Sequence, residues 1–265
     1  MGYENDNRTV FSDEVQDDLF KIEADSWWFQ YRAKLITGLM DKYFKRDVKT
    51  VDIGGGNGYT TAIAQKKGFN MALLEPSETA CRNALKRGID AHIGMLTEEY
   101  PEDGVYEQVL LLDVLEHIED DKGFLRLLNC KISYKGTLLI TVPAYNLLWS
   151  SEDDCAGHFR RYTKKELEKK TSDTGFGIKY SGYFMWFLFL PILFIRVILE
   201  KLGLLKRTEL RNEEERAAVA DKQFRMKKGI VNVILLFLER VEYQYIMKGK
   251  RQLFGASVVM VLEKQ

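Results

Sequence analysis

The chain carries no surplus of charge of either sign. Lys plus Arg and Asp plus Glu each number 39 in 265 residues, so no global field draws it to nucleic acid or to an acidic polymer. Cysteine is scarce: Cys81, Cys130 and Cys155 are odd in number and far apart. They make neither a zinc pattern nor a disulfide framework, which suits a reducing, cytoplasmic compartment. The opening MGYENDNRTVFSDEVQDDLF lacks the basic start and apolar centre of a cleaved leader. No apolar run reaches the roughly 20 residues that a membrane span needs. What remains is a chain long enough for one large domain or a domain with an elaboration, with 46% hydrophobic residues to fill its core.

The most informative stretch is Val51-Asp52-Ile53-Gly54-Gly55-Gly56-Asn57-Gly58, a β-branched strand ending in an acid, then a glycine-rich turn into a helix. Such a turn lets a ligand approach the backbone where a Cβ would collide. A phosphate-binding P-loop would close on Gly-Lys-Ser/Thr, but here Gly58 is followed by Tyr59 and Thr60. A dinucleotide fingerprint would read G-x-G-x-x-G, whereas here an acid lies inside the motif. The spacing resembles motif I of class I S-adenosylmethionine (SAM) methyltransferases. Their cofactor carries a cationic sulfonium and an amino-acid tail but no pyrophosphate.

Glu75 ends the next apolar segment, a little over 20 residues past Asp52, where a doubly wound sheet places a carboxylate against ribose hydroxyls. Strands are expected near 48–53, 70–75, 89–93, 106–112, 136–142, 176–183 and 256–262, with helices near 58–67, 77–87, 121–133 and 163–173. Unbroken apolar runs such as Val109-Leu110-Leu111-Leu112 suit parallel strands buried on both faces. The resemblance implies an α/β, Rossmann-like, seven-stranded and mostly parallel sheet of order 3-2-1-4-5-7-6, with helices on both faces. It implies a single domain over 1–265, with residues 1–45 as an N-terminal helical cap and 184–250 as a helical insertion before the last strand.

Asp113-Val114-Leu115-Glu116-His117 follows the fourth strand, where open α/β sheets place their ligands. His117 is read as a base or as a structural histidine. The segment Val142-Pro143-Ala144-Tyr145 runs through Trp149, Asp153 and Asp154 to Gly157-His158-Phe159-Arg160-Arg161-Tyr162. With Trp27-Trp28-Phe29 and Arg32, it resembles a type 11/12-like bacterial and archaeal subgroup of these enzymes. That resemblance implies SAM contacts from Asp52, Gly54, Gly55, Gly56, Gly58, Glu75, Pro76 and Asp113. Many relatives carry an acid after the third strand where this chain has Gly94-Met95-Leu96, so Met95 and Leu96 are expected to meet adenine through their backbone instead. Trp28, Tyr145 and Trp149 are expected to wall the acceptor, and Arg160, Arg161 and Tyr162 to bind it. His158, set among cations, is the expected base, with His117 beside it.

The function implied is methyl transfer to a small-molecule, glycan or lipid-linked acceptor, with oxygen favoured and no nucleic acid or resident metal. Two alternatives stand beside it. One is a catalytically silent SAM-binding scaffold. The other is a metal-assisted O-methyltransferase, because Asp113, Glu116 and His117 resemble the acid-x-x-Glu-His pattern of the ubiquinone-pathway enzymes, with His158 as a further ligand. The insertion holds two apolar runs, 183–199 and 230–246, around a charged stretch at 206–228 that is expected to be a solvated helical linker. They are read either as a homodimer or core packing face, or as a peripheral contact with the inner face of a membrane beside the acceptor opening.

Overall fold

A computed structural model describes residues 13–99, 101–198, 202 and 230–265. The linker expected over 206–228 and the first twelve residues of the expected cap lie outside the described residues.

The elements run α1 (Asp13–Ile22), α2 (Trp27–Tyr43), β1 (Thr50–Ile53), α3 (Tyr59–Lys66), β2 (Met71–Glu75), α4 (Glu78–Lys86), β3 (Asp90–Ile93), β4 (Tyr106–Leu112) and α5 (Asp121–Lys131). They continue β5 (Ile132–Pro143), α6 (Ser151–Ala156), α7 (Lys164–Ser172), β6 (Phe176–Phe184), α8 (Trp186–Ile192), α9 (Ile230–Met247) and β7 (Ser257–Lys264). The seven strands form one sheet of order β3-β2-β1-β4-β5-β7-β6. The first five are mutually parallel, and β7 runs antiparallel to both β5 and β6. This is the topology that the family resemblance implies.

Side-chain alternation assigns the two faces of the sheet. Val109, Leu111, Leu138, Ile140 and Val142 pack on one side with Leu125, Leu128 and Leu167 of α5 and α7. Leu110, Leu112 and Leu139 pack on the other with Leu35, Ile36, Leu39 and Met40 of α2. Local chemistry sets the helix starts. Ser26 accepts a hydrogen bond from Phe29 N, Ser77 from Ala80 N and Asp120 from Gly123 N.

One boundary differs from the sequence reading. β5 begins at Ile132, so α5 stops at Lys131. Ile132 pairs with Tyr106 ahead of a register shift, and Lys135 takes a positive φ in the irregular stretch. An irregular strand start of this kind breaks the period-2 pattern that marks a strand in sequence.

The insertion is divided. α8 and the π-type turn at Leu193–Ile198 follow β6 directly, and α9 precedes β7. Glu242 of α9 is fully buried; it accepts hydrogen bonds from Met185 N and Trp186 N, both 2.9 Å, and from the Tyr31 hydroxyl. Glu239, one turn earlier, accepts from Trp27 Nε1 at 2.8 Å and pairs with Lys34 at 3.1 Å. Two carboxylates thus fasten α9 to α2 and to the start of α8. Among the described residues, no helix is long and apolar enough to cross a membrane.

Candidate active site

The glycine turn sits at the C-terminal end of β1. Gly54, Gly56 and Gly58 adopt φ of 70°, 57° and 71°, a region that a side chain resists. A Cβ on Gly55 would come within 2.5 Å of both Asp52 Oδ2 and Leu73 Cδ1, whereas one on Gly56 would meet nothing within 4 Å. The turn is therefore closed beneath and open above.

Asp52 is buried beneath this turn. Its Oδ2 accepts from Thr61 Oγ1 at 2.5 Å, and Oδ1 has no partner. Burial pushes its carboxyl up to about 6, against the pull of Thr61 and of the Arg32 charge. Glu75 accepts from Gly56 N and Ser77 N, both at 2.9 Å, so it braces the turn from β2. Its acidity is weakened by burial and partly restored by those two amides. Pro76 is exposed beside it. After β3, Met95 is exposed while Leu96 is buried in the core beside Leu74.

Asp113 closes β4 with a φ of 54°. Its carboxylate pairs with Arg32 at 2.7 Å and accepts from Thr141 Oγ1 at 2.9 Å. The sequence reading gives Asp113 to the cofactor; in the structure its nearest partner is the guanidinium of α2. Arg32 Nε is buried without a partner. Arg32 also lies under Trp28, 5.3 Å from the ring centroid.

A second cluster gathers where the segment after β5 folds back over the loop after β4. The Phe159 amide donates to Glu116 O at 2.8 Å, joining the two. Asp153 is 1% exposed and accepts from His158 Nδ1 at 2.7 Å, Arg161 Nε at 2.7 Å, Arg161 Nη2 at 2.9 Å and Ser150 N at 2.9 Å. Burial alone would raise the Asp153 carboxyl, but the bonds from His158 and Arg161 hold it below the usual carboxylate range. An ionised Asp153 only accepts, so His158 Nδ1 carries a proton, and in the neutral ring the lone pair is then on Nε2.

The His117 ring lies 4.7 Å from that of His158. Burial first, and then His158, push His117 down to about 4, and its Nδ1 is buried without a partner. Glu116 is 1% exposed with Oε2 unpartnered. Burial, and then the Asp113 charge, raise its carboxyl well above normal. Ligand-competent atoms of Glu116, His117 and His158 all lie within 4.8 Å of one another.

Other expected acceptor residues are placed differently. Arg161 is committed to buried Asp153. Arg160 donates to Glu119 O at 2.6 Å and pairs with Asp121 at 2.8 Å. Tyr162 is 1% exposed, with its hydroxyl on Asp121 Oδ2 at 2.8 Å. Asp121, expected only to start a helix, collects all three of Arg160, Tyr162 and Lys170. Tyr145 is strained at a φ of 55°. It stacks on Tyr183 at 5.0 Å and meets Phe189 edge-on at 5.5 Å. Trp149 Nε1 donates to Asp154 Oδ1 at 3.0 Å, and Trp28 meets Phe29 at 4.9 Å.

The sequence reading missed a buried polar latch over the glycine turn. Asn57 Nδ2 donates to Gln16 O at 2.9 Å, Asn57 Oδ1 accepts from Asn83 at 3.1 Å, and Glu23 pairs with Arg87. These long-range pairs leave no local pattern. Asp153 did leave one, since Ser150-x-x-Asp153 has the spacing of a capping box, and Asp153 accepts from Ser150 N.

The family described as a methyltransferase domain matches residues 26–179. A ubiquinone biosynthesis O-methyltransferase of Rickettsia canadensis is 28% identical over 170 residues, covering 57% of this chain and 70% of that protein. One from Rickettsia bellii is 27% identical over 100 residues, or 36% of this chain; the match spans only 42% of the relative's length. Among solved structures, phosphoethanolamine N-methyltransferase 2 of Haemonchus contortus in complex with SAM superposes with a TM-score of 0.60. At 18% identity over 97% of this chain and 58% of that one, it shows a shared fold.

Proposed function

The chain belongs to the methyltransferase-domain family, and on that premise we propose that it uses SAM, as a class I member, to methylate an oxygen of a small-molecule acceptor. The observation that carries this reading is the Asp153–His158 pair, which lies beside His117 and Glu116, with ligand-competent atoms of His158, His117 and Glu116 within 4.8 Å of one another.

The buried residues around the glycine turn fit the cofactor. Asp52 Oδ1 and Arg32 Nε are buried and unpartnered, and the space above Gly56 is open. A carboxylate oxygen and a guanidinium N–H left over in this way match an ammonium and a carboxylate. Glu75 keeps lone pairs for ribose hydroxyls after bracing Gly56 and Ser77. Bound there, SAM supplies a methyl carbon already activated by its sulfonium. The protein's task is then alignment, exclusion of water and removal of one proton.

Asp153 orients His158 and fixes its tautomer, so Nε2 takes the proton from the acceptor hydroxyl and Asp153 steadies the imidazolium that forms. His117, held neutral by burial, adds no competing charge. The acceptor lies towards Tyr145 and Trp149, on the segment that carries His158. Glycan and lipid-linked acceptors fall within the same reading.

A second reading uses the same residues to hold a divalent cation. Glu116, His117 and His158 would supply ligands, and Asp153 would orient His158 from behind, as carboxylates commonly do for metal-bound imidazoles. The ion would bind vicinal oxygens of the acceptor and favour their ionised form. Asp113, the other acid of the expected ligand set, is instead held by Arg32. The unpartnered Glu116 Oε2 and His117 Nδ1 favour this reading.

Turnover of isotopically methyl-labelled SAM with a pool of hydroxylated small molecules tests both readings. Label recovered in base-stable methyl ethers supports oxygen transfer, and label on amines contradicts it. Loss of turnover on chelation, restored by Mg2+, selects the metal reading; indifference to chelation selects the base. SAM binding without any turnover would leave a scaffold.

A further inference from the structure

α9 is built the wrong way round for a helix in water. Its only acids, Glu239 and Glu242, are turned inward and buried. Val233, Ile234, Phe237 and Val241, spaced three and four apart on one face, are 46–65% exposed. Its inward face is apolar as well, with Ile246 in the core cluster and Leu235 and Leu238, half-buried, packed against it. A helix apolar on both sides matches a surrounding that is not water on either. In the turn that follows α9, Leu253 is 88% exposed and Phe254, also exposed, sits edge-on to Phe189 at 5.5 Å. Phe189 touches Tyr145 in turn, so one chain of rings joins this turn to the acceptor segment.

Four cations belong to this stretch. Arg240 lies on α9, and Lys248, Lys250 and Arg251 follow its C-terminus, all exposed. Lys250 reaches over the Tyr245 ring at 5.3 Å.

We propose that α9 and the Lys248–Phe254 turn form a membrane-docking face that lies on an anionic lipid bilayer. Apolar side chains enter the acyl boundary while the cations meet headgroups. α9 is not a span, and Glu239 and Glu242 keep it anchored to the protein while its outer face is in lipid. Within the apolar run 183–199, Phe187 is buried in the core while Leu190 and Phe194 are exposed, so only part of that run faces outward. The inference does not rest on the methyl-transfer reading.

Vesicle flotation of the full chain tests it, using phosphatidylcholine vesicles with and without phosphatidylglycerol. The wild type is expected to float with the anionic vesicles and to remain below with the neutral ones. A variant with Ile234→Ser, Phe237→Ser and Leu253→Ser is expected to bind at least about tenfold more weakly, given three apolar side chains kept out of lipid. A second variant, with Lys248→Glu, Lys250→Glu and Arg251→Glu, should lose the preference for anionic vesicles. Thermal melts and SAM titration of each variant establish that it is folded. A wild type that stays below with both vesicles, or a folded Ser variant that floats equally, overturns the proposal. If the wild type instead sediments as a dimer that the Ser variant disperses, the face is an interface between two copies, and the proposal is overturned too.

Discussion

Asp52 shows how a single buried residue couples the site to pH. Its carboxyl titrates at about 6 because burial disfavours the charge. A cationic ligand end placed beside it favours the ionised form, so below pH 6 binding must also expel a proton. SAM affinity is therefore expected to rise between pH 5 and 7, by at most about tenfold per pH unit for one linked proton. Calorimetric titration across that range reads this directly, and Asp52→Asn should flatten the profile. An equally steep profile in the variant would assign the proton elsewhere.

Asp153 carries a different load. Asp153→Ala leaves Arg161 buried without its carboxylate, and breaking such a pair costs about 3–5 kcal/mol. Denaturant unfolding should register that loss, and a change below about 1 kcal/mol, the scale of a surface pair, would show the pair to be solvated. Residue-scale legibility was uneven for a physical reason. Glu75 and the glycines announce themselves because strand–turn–helix geometry dictates residue type at fixed spacing. Arg161 and Tyr162 look like acceptor-binding residues in sequence, yet their partners Asp153 and Asp121 turn both inward.

Among the elements, α1 and the turn after it cover the glycine loop through Glu23, Asn57 and Arg87. Burial raises Glu23 to about 7, opposed by Arg87. The folded state holds this proton more tightly than the unfolded chain. Its stabilising contribution is therefore complete below pH 4.5 and is lost as pH rises through 7. The thermal midpoint of the wild type should fall more steeply from pH 5 to 8 than that of Glu23→Gln; parallel curves would place Glu23 in water.

α9 depends on Glu242 in the same way. Glu242→Leu strands Met185 N, Trp186 N and the Tyr31 hydroxyl, each at about 1–3 kcal/mol if left unpaired. Faster limited proteolysis around 186–198 is expected, and unchanged cleavage would contradict the fastening role. The two apolar runs were visible in the sequence, but their inward and outward faces were not. Tyr31 and Glu242 lie 211 positions apart, and no local pattern joins them.

At the scale of the molecule, the parallel sheet sets the cofactor turn, the Asp153–His158 pair and the aromatic segment at one edge, the C-terminal ends of β1, β4 and β5. Alternating buried strands and helices made a parallel α/β sheet legible, while the order of its strands was legible only through the family resemblance of the glycine turn and its partner segments. The chemistry at that edge reduces to one claim: His158 removes a proton from an acceptor oxygen while the glycine turn holds SAM. Turnover of methyl-labelled SAM by wild type and His158→Ala on the same hydroxylated acceptor pool, with SAM affinity measured on each, tests it most directly. Labelled methyl ethers are expected from the wild type and a fall of about 10²–10⁴ in the variant, with SAM affinity within about twofold. Equal turnover by the two proteins, or a wild type that binds no SAM, would contradict it.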